Sequence, residues 1–585
     1  MSLTYSPTNA TAYNSFWGPV FLASRDITGQ VPMNKVEYAG VNVQAACSPD
    51  NVFDSDQYQR CLSNLLSAQF RWFTFDIYWD STNHQFGLCP VQLPSQDANN
   101  TSTAAIGSSN SAAMTMVAAT ASTSSATASP AESDNGNLLQ LGPYQCSNDL
   151  TFDSVLDLFH NYISATSSKA LARVVLFELN LHAATLLSQP QGPAPTPSED
   201  QMPTPSTRVG HLVSNDNLQP FLYPFSELLS DRSNLNATWY ATEDPHRMQF
   251  TRETYLLFSK VSRLLVSWGT VDDQMAAYDF GSDSSTVFPR GYMSTQHAFQ
   301  VDSTTGALSS GCFYDDTTTN PSCVNVNWSL GYTNNPSTAL QPHLLGNLTA
   351  CGISPILNTS LTGGTSAAFA FTPYLDFITA SVLGWAPGEP QNSSSPHARL
   401  NGPSNQFRCA VLDSRPAYSG RWRVANCQQR FAAACRVDSD PYRWRLTPDA
   451  VTFHDAPDAC RATADADTDT VFDQPRTGLE NTYLYHHVLN QSAAAPAVAP
   501  AIVWINLNSL AHGGCWVTTG PNGTCDYADD LESMTDRQIL IPTIGALLIL
   551  FLTLLTILVK CNSNYRHNRR TKPGPGGWEY EGVPS

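Results

Sequence analysis

YQRCLSNLLSAQ (58–69) running straight into FRWFTFDIY (70–78) decides the fold. The first stretch spaces its apolar residues at helical intervals, and the second is an almost continuous apolar, aromatic-rich run of strand length. The same order recurs downstream. TFDSVLDLFHNYI (151–163) precedes ARVVLFELNL (172–181), and RETYLLFSKV (252–261) precedes SRLLVSW (262–268). A further apolar piece, VEYAGVNV (36–43), comes before all three. Strands apolar on both faces that alternate with helices belong in a parallel sheet covered by helices. Residues 1–350 are therefore expected to form one α/β domain. Two low-complexity stretches interrupt it. Residues 96–135 are mostly Ala, Ser, Thr and Asn, and residues 189–207 are rich in Pro, Ser and Thr. Both are expected to be disordered insertions.

The end of the chain carries the second strong signal. Ile539 to Val559 is an uncharged apolar run closed by Lys560, and about 20 such residues form a helix long enough to cross a bilayer. The tail 560–585 holds Lys560, Arg566, Arg569, Arg570 and Lys572 against Glu579 and Glu581. The positive-inside rule places that tail in the cytoplasm, so a single-pass type I membrane protein is expected. Asn-X-Ser/Thr acceptors at Asn9, Asn99, Asn100, Asn236, Asn327, Asn347, Asn358, Asn392, Asn490 and Asn522 all precede the span, where glycosylation is possible. Thirteen of the fourteen cysteines also precede it, which suits an oxidising compartment. Cys561 abuts the span on the other side. Met1 to Ala23 lacks the basic-then-apolar pattern of a signal peptide. Either a leader upstream of this start is expected, the favoured reading, or insertion through the C-terminal span, which would leave every sequon in the cytosol.

Net charge is −19, and about −22 once the tail's five basic and two acidic residues are set aside. Such a surface repels phosphate backbones, and direct nucleic-acid binding is not expected. The partners expected are the membrane, through one helix, and protein or glycan ligands.

An ordered set of blocks resembles the fungal maintenance of telomere capping protein 6 family over nearly the whole chain. These are RDITGQVPMNKVEYAGVN (25–42), FDIYWD (75–80) with LCP (88–90), FLYPFSELLSDRSNLNATWY (221–240), RLLVSWGTVD (263–272), DSSTVFPRGY (283–292), WAPGEP (385–390), PRTGLENTYLY (475–485), VWINLNS (503–509) and CWVTTGPNGTC (515–525). The resemblance implies a type I membrane glycoprotein whose N-terminal half is similar to a phosphodiesterase-type TIM barrel. Barrels of that type carry a Gly-Thr-His-Asn/Asp motif after the first strand, and its His exchanges a proton with the phosphodiester. Here the block reads Gly40-Val41-Asn42-Val43. Asn42 cannot exchange a proton near neutrality as a histidine can. What remains at expected strand ends is Asp76, Asp80, Glu178, Asn180, His182, Asp272 and Asp273. The C-terminal ends of barrel strands build active sites, and alternation puts 178, 180 and 182 on one face. Asp76, Asp80, Glu178 and His182 are the candidate catalytic residues, weighed against polar side chains that merely fill the mouth.

From Trp385 onward, WAPGEPQN (385–392), Cys409 and GRWRVANCQQRFAAACR (420–436) resemble the closing half of a C-type lectin-like domain. WRLTPDAVTFHDAPDAC (444–460) through VWINLNS (503–509) resembles the opening half. The resemblance implies an α+β, disulfide-bonded region over 351–530, as two diverged units or one rearranged unit. It also implies a Cys409–Cys427 pair, with Cys351 as the first choice of partner for Cys435. The spacing of CWVTTGPNGTC suggests a Cys515–Cys525 staple. Sugar-binding lectin domains hold calcium through oxygen ligands, but Gln391, Arg423 and Val424 stand at ligand positions, so no metal or cofactor is expected. His486-His487 has no spaced partner. The expectation is a non-enzymatic binding or scaffolding glycoprotein, with an indirect part in telomere capping implied by the resemblance. The competing class is a phosphodiesterase or glycoside-processing enzyme working through the barrel-mouth residues.

Overall fold

A computed structural model of the chain describes residues 2–8, 17–95, 138–215, 217–233, 250–302, 307–317, 327–335, 342–390, 407–494, 501–529 and 543–560. Two compact units are present, Met1–Cys525 and Asp526–Ser585.

Seven parallel strands form the N-terminal sheet: β1 (Gly40–Asn42), β2 (Trp72–Asp80), β3 (Val175–Ala183), β4 (Leu264–Val271), β5 (Ser294–Gln296), β6 (Trp328–Thr333) and β7 (Ser354–Leu357). Their order in space is β4-β3-β2-β1-β7-β6-β5. Read around a circle, that is chain order with a single break between β4 and β5, as expected of a rolled barrel. The break is partly bridged. Phe288 N–H donates to the Val266 carbonyl at 2.8 Å, and Trp268 N–H donates to the Phe288 carbonyl at 3.0 Å. The stretch leading into β5 is thus tied to the free edge of β4. A short antiparallel strand, Gln85–Gly87, folds back on β2.

Alternation sorts the side chains. Phe73, Phe75, Ile77 and Trp79 of β2 join Phe177, Leu179, Val266 and Trp268 in the core between sheet and helices. Helices α1 (Trp17–Thr28), α2 (Ser55–Ser67) and α3 (Phe152–Ala165) belong to this half. Asp54 caps α2 by accepting from Gln57 N–H, and Thr151 caps α3 in a reciprocal pair with Ser154. The opposite face starts apolar, with Trp72, Leu176, Leu265, Trp328 and Ile356 clustered inside the barrel. Toward the strand C-termini it turns polar, at Asp76, Glu178, Asn180 and His182.

The second region is one sheet of six strands: β8 (Phe407–Asp413), β9 (Arg421–Asn426), β10 (Ala432–Val437), β11 (Trp444–Leu446), β12 (Thr470–Phe472) and β13 (Ile502–Asn508). The order is β9-β8-β13-β10-β11, with β12 on β10. Strands from both lectin-resembling blocks share this sheet. A common core joins Val20, Ala23 and Ile27 of α1 and Leu344 and Leu348 of α4 (Pro342–Ala350) to Leu412, Trp422 and Ile505. Glu37, just ahead of β1, accepts from Gly478 N–H at 3.2 Å. This contact opens helix α5 (Gly478–Ala494) at the N-terminal ends of the barrel strands.

Four expectations need correction. Residues 189–207 are ordered. Trp79 Nε1 donates to the Gln201 carbonyl at 2.8 Å, and Ala194 and Met202 pack on the core. Proline already restricts this segment, so ordering it costs less entropy. The barrel runs past residue 350, because β7 lies at 354–357 between β1 and β6. Only Gly40–Asn42 of the 36–43 block is strand, and Val43–Cys47 turns into a short helix. Cys435 pairs with Cys460, and Cys351 with Cys312. Cys460 lies in a short helix (Ala456–Arg461) whose core cluster includes Cys435, whereas Cys351 follows α4. Cys409–Cys427 and Cys515–Cys525 form as expected, joined by Cys47–Cys61 and Cys89–Cys146. The insertion 96–135, Cys323, Cys561 and the basic tail lie outside the described residues. In the second unit, Thr543–Lys560 is one helix long and apolar enough to cross a membrane.

Candidate functional site

Asp76 is the centre of the barrel mouth. Its register neighbour on β3 is Asn180, and that of Tyr78 is His182. Asn180 Nδ2 donates to Asp76 Oδ1 at 2.8 Å, Asn42 Nδ2 approaches Oδ2 at 3.3 Å, and His182 Nε2 lies 3.4 Å from Oδ1. Each donor is itself held. Asn180 Oδ1 accepts from Thr270 N–H at 2.8 Å, which aims its amide nitrogen at Asp76. Asn42 Oδ1 caps the helix Val43–Cys47 by accepting from Ala45 N–H at 3.0 Å. His182 Nδ1 lies 3.0 Å from Asp272 Oδ2, and its ring stacks on Tyr78 at 4.9 Å. Gly269 leaves room for this network, since a Cβ there would come within 2.4 Å of Asn180 Oδ1.

Charge follows from these contacts. Burial alone would raise Asp76, but hydrogen bonds from His182, Asn180 and Asn42 hold its carboxyl below the usual range. Burial works against charge on His182, yet its hydrogen bonds to Asp76 and Asp272 outweigh that and raise its pKa. Glu178 lies deeper. Trp72 Nε1 donates to it at 3.1 Å, Tyr332 Oη at 3.4 Å and Ser294 Oγ at 3.5 Å. Burial outweighs all three and raises its pKa. The mouth therefore presents a fixed anion, an imidazole held between two carboxylates, and a carboxyl biased toward its neutral form.

Asp76, Glu178, Asn180, His182 and Asp272 come together, of which the alternation had grouped only 178, 180 and 182. Asp80 does not join them. Its carboxylate accepts from the backbone N–H groups of Thr82, Asn83 and Leu93 and from Asn83 Nδ2, which makes it the anchor of a turn. Asp273 is exposed and opens the next turn. Tyr78, Trp72, Tyr332 and Ser294 were not expected at the site. Tyr78 was legible as the residue two beyond Asp76. Ser294 comes from Ser-Thr-Gln, which carries no strand signal, and Tyr332 from WSLGYT (328–333), whose apolar–polar alternation was its signal.

Elsewhere, Glu389 is buried and accepts from Val424 N–H at 3.1 Å, while Arg423 Nε donates to Asp413 at 2.7 Å. His486 stacks on Tyr314 at 4.3 Å, and His487 Nε2 lies 3.1 Å from Gln491. Of the sequons, Asn358, Asn490 and Asn522 are exposed, and Asn327 and Asn347 half-buried. The other five lie outside the described residues.

A family model described as the MTC6 partial TIM-barrel domain matches residues 20–372, more than half of the chain. Maintenance of telomere capping protein 6 of Saccharomyces cerevisiae strain S288c is 23% identical over 469 residues, covering 77% of this chain and 81% of that protein. The Komagataella phaffii protein of the same name is 24% identical over 537 residues, 86% and 83%. That of Candida albicans is 20% identical over 645 residues, 99% and 97%. With its seven parallel strands broken once between β4 and β5, the chain belongs to the MTC6 family of partial TIM-barrel proteins.

Proposed function

We propose that the chain is a membrane-anchored glycoprotein of the secretory pathway or cell surface that binds or scaffolds and does not cleave phosphodiesters. The bonding of Asp76 carries this reading. Asn42 stands where the first catalytic histidine of a phosphodiesterase barrel would be, and it serves as a helix cap and a donor to Asp76. His182 has both ring nitrogens against carboxylates, so neither is free to take a substrate proton. In the second sheet, motif order favours a single rearranged lectin-like unit, because the closing-half resemblance precedes the opening half. The relatives are named for telomere capping, and for this chain an acidic, lumenal surface argues for an indirect role.

Type I topology rests on several supports. Apolar side chains of Thr543–Lys560 are 40–69% exposed, a surface that lipid would cover. Six disulfides suit the lumen, as do the sequons ahead of the span. N-glycosidase treatment of the full-length native protein should lower its apparent mass by many kilodaltons, and an unchanged mobility would put the sequons in the cytosol and defeat the topology.

An acid–base enzyme is the second reading, and Glu178 favours it. A buried carboxyl held toward its neutral form is what a general acid requires. The Asp76→Asn, Glu178→Gln double variant separates the two readings. A scaffold should keep its cellular function while its surface level is normal. Loss of function in a normally folded and delivered protein would favour the enzyme.

A further inference from the structure

A cleft of about 420 Å³ lies between the barrel base and the second sheet, a volume typical of small-molecule sites. Arg421, at the start of β9, lines it. Its Nη1 donates to the Trp385 carbonyl at 3.3 Å. Among the described residues no carboxylate pairs with it, and burial alone acts on its charge. Acidic residues outnumber basic ones 49 to 30 in this chain, yet this half-buried guanidinium is left to a backbone carbonyl. Arg423, two residues on, pairs with Asp413 at 2.7 Å. A guanidinium carries five N–H donors in a planar fork, and only one bond is accounted for here.

The guanidinium rests over helix α4, where Gly346 makes room for it. A Cβ on Gly346 would lie 2.7 Å from Arg421 Nη2. Tyr485, whose ring packs on Gly420, and Tyr314, stacked on His486, also line the cleft. Burial lowers the pKa of His486, with Asp316 acting weakly the other way, which leaves Arg421 as the receptor for an anion.

We propose that this cleft binds a small sugar bearing an oxyanion, a carboxylate or a phosphate, with the anion on Arg421 and the ring against Tyr485 and Tyr314. The fork matches either oxyanion in a two-point contact, and aromatic faces suit the apolar face of a sugar ring. This site is separate from the barrel mouth and stands whether or not the mouth is catalytic.

The full-length chain in detergent micelles is titrated with glucuronate, glucose 6-phosphate and glucose by calorimetry. At least one of the two acids should bind saturably while glucose does not, and which acid binds identifies the group. Arg421→Gln should weaken that binding at least tenfold. Gly346→Ala should do the same by displacing the guanidinium, although alanine suits a helix better than glycine, so loss of fold would not be the cause. Absence of binding by both acids, equal binding of glucose, or unchanged affinity in Gly346→Ala with the fold intact would overturn the proposal.

Discussion

Arg436→Leu should destabilise the folded chain by roughly 3–5 kcal/mol, the cost of leaving buried charges without their partner. Arg436 on β10 is 3% exposed. Its Nε donates to Asp473 at 2.7 Å, and Nη2 donates to Glu480 and to the Gln474 carbonyl, each at 2.8 Å. Its guanidinium also lies 4.6 Å from the Trp444 ring centre. Glu480 sits in the first turn of α5, the helix whose first N–H is taken by Glu37 of the barrel. Arg436 thus fixes the segment through which the second sheet meets the barrel base. Arg476 reaches Asp473 at 2.7 Å but only its backbone N–H reaches Glu480, so Glu480 would lose its one cationic partner among the described residues. Thermal unfolding of the full-length protein checks this, and abundance at the membrane should fall several-fold. A loss below about 1 kcal/mol, the level of an exposed pair, would show that the network is dispensable. Arg436→Lys should fall between, because one ammonium cannot reproduce the fork.

The parallel sheet was legible because β2, β3 and β4 are long apolar runs, each behind a helix pattern. Closure was not. β5 (Ser-Thr-Gln) and β7 (Ser-Pro-Ile-Leu) are short, and one contains a proline, so their strand character comes from their neighbours and not from propensity. The site divides along the same line. Glu178, Asn180 and His182 alternate on a long strand and could be grouped by period alone, and Asp76 follows from the register with β3. Asp80 shares that alternation, but local backbone donors claim its carboxylate in the following turn, which no period reveals. The lectin-like resemblance implied Cys409–Cys427, and the ending CWVTTGPNGTC suggested Cys515–Cys525; neither needed a distant element. Neither signal could find Cys435–Cys460, which depends on a helix packing against β10.

Gly40→Val should be the most damaging single change in the barrel, and its contrast with Asn42→Ala shows what the Gly-Val-Asn-Val block does. Gly40 pairs with Trp72 on one side and Ile356 on the other. A Cβ there would meet Ile356 Cδ1 at 2.5 Å, Trp72 Cβ at 2.7 Å and the Trp72 carbonyl at 3.0 Å. The isoleucine tip can swing aside, whereas the tryptophan Cβ and backbone cannot. Overpacking of this kind costs about 1–3 kcal/mol for one added group, and valine adds three, so the expected loss lies at or beyond the top of that range. Displacement of Trp72 would also remove a hydrogen-bond donor from Glu178, coupling the damage to the mouth. Asn42→Ala removes a helix cap and one of the longer contacts to Asp76, a loss of about 1 kcal/mol. Thermal unfolding followed by tryptophan fluorescence ranks the two. If Gly40→Val is the milder variant, the seam between β1 and β2 is looser than the distances imply. If it is the harsher, the block serves first to pack the barrel, and Asn42 is a cap.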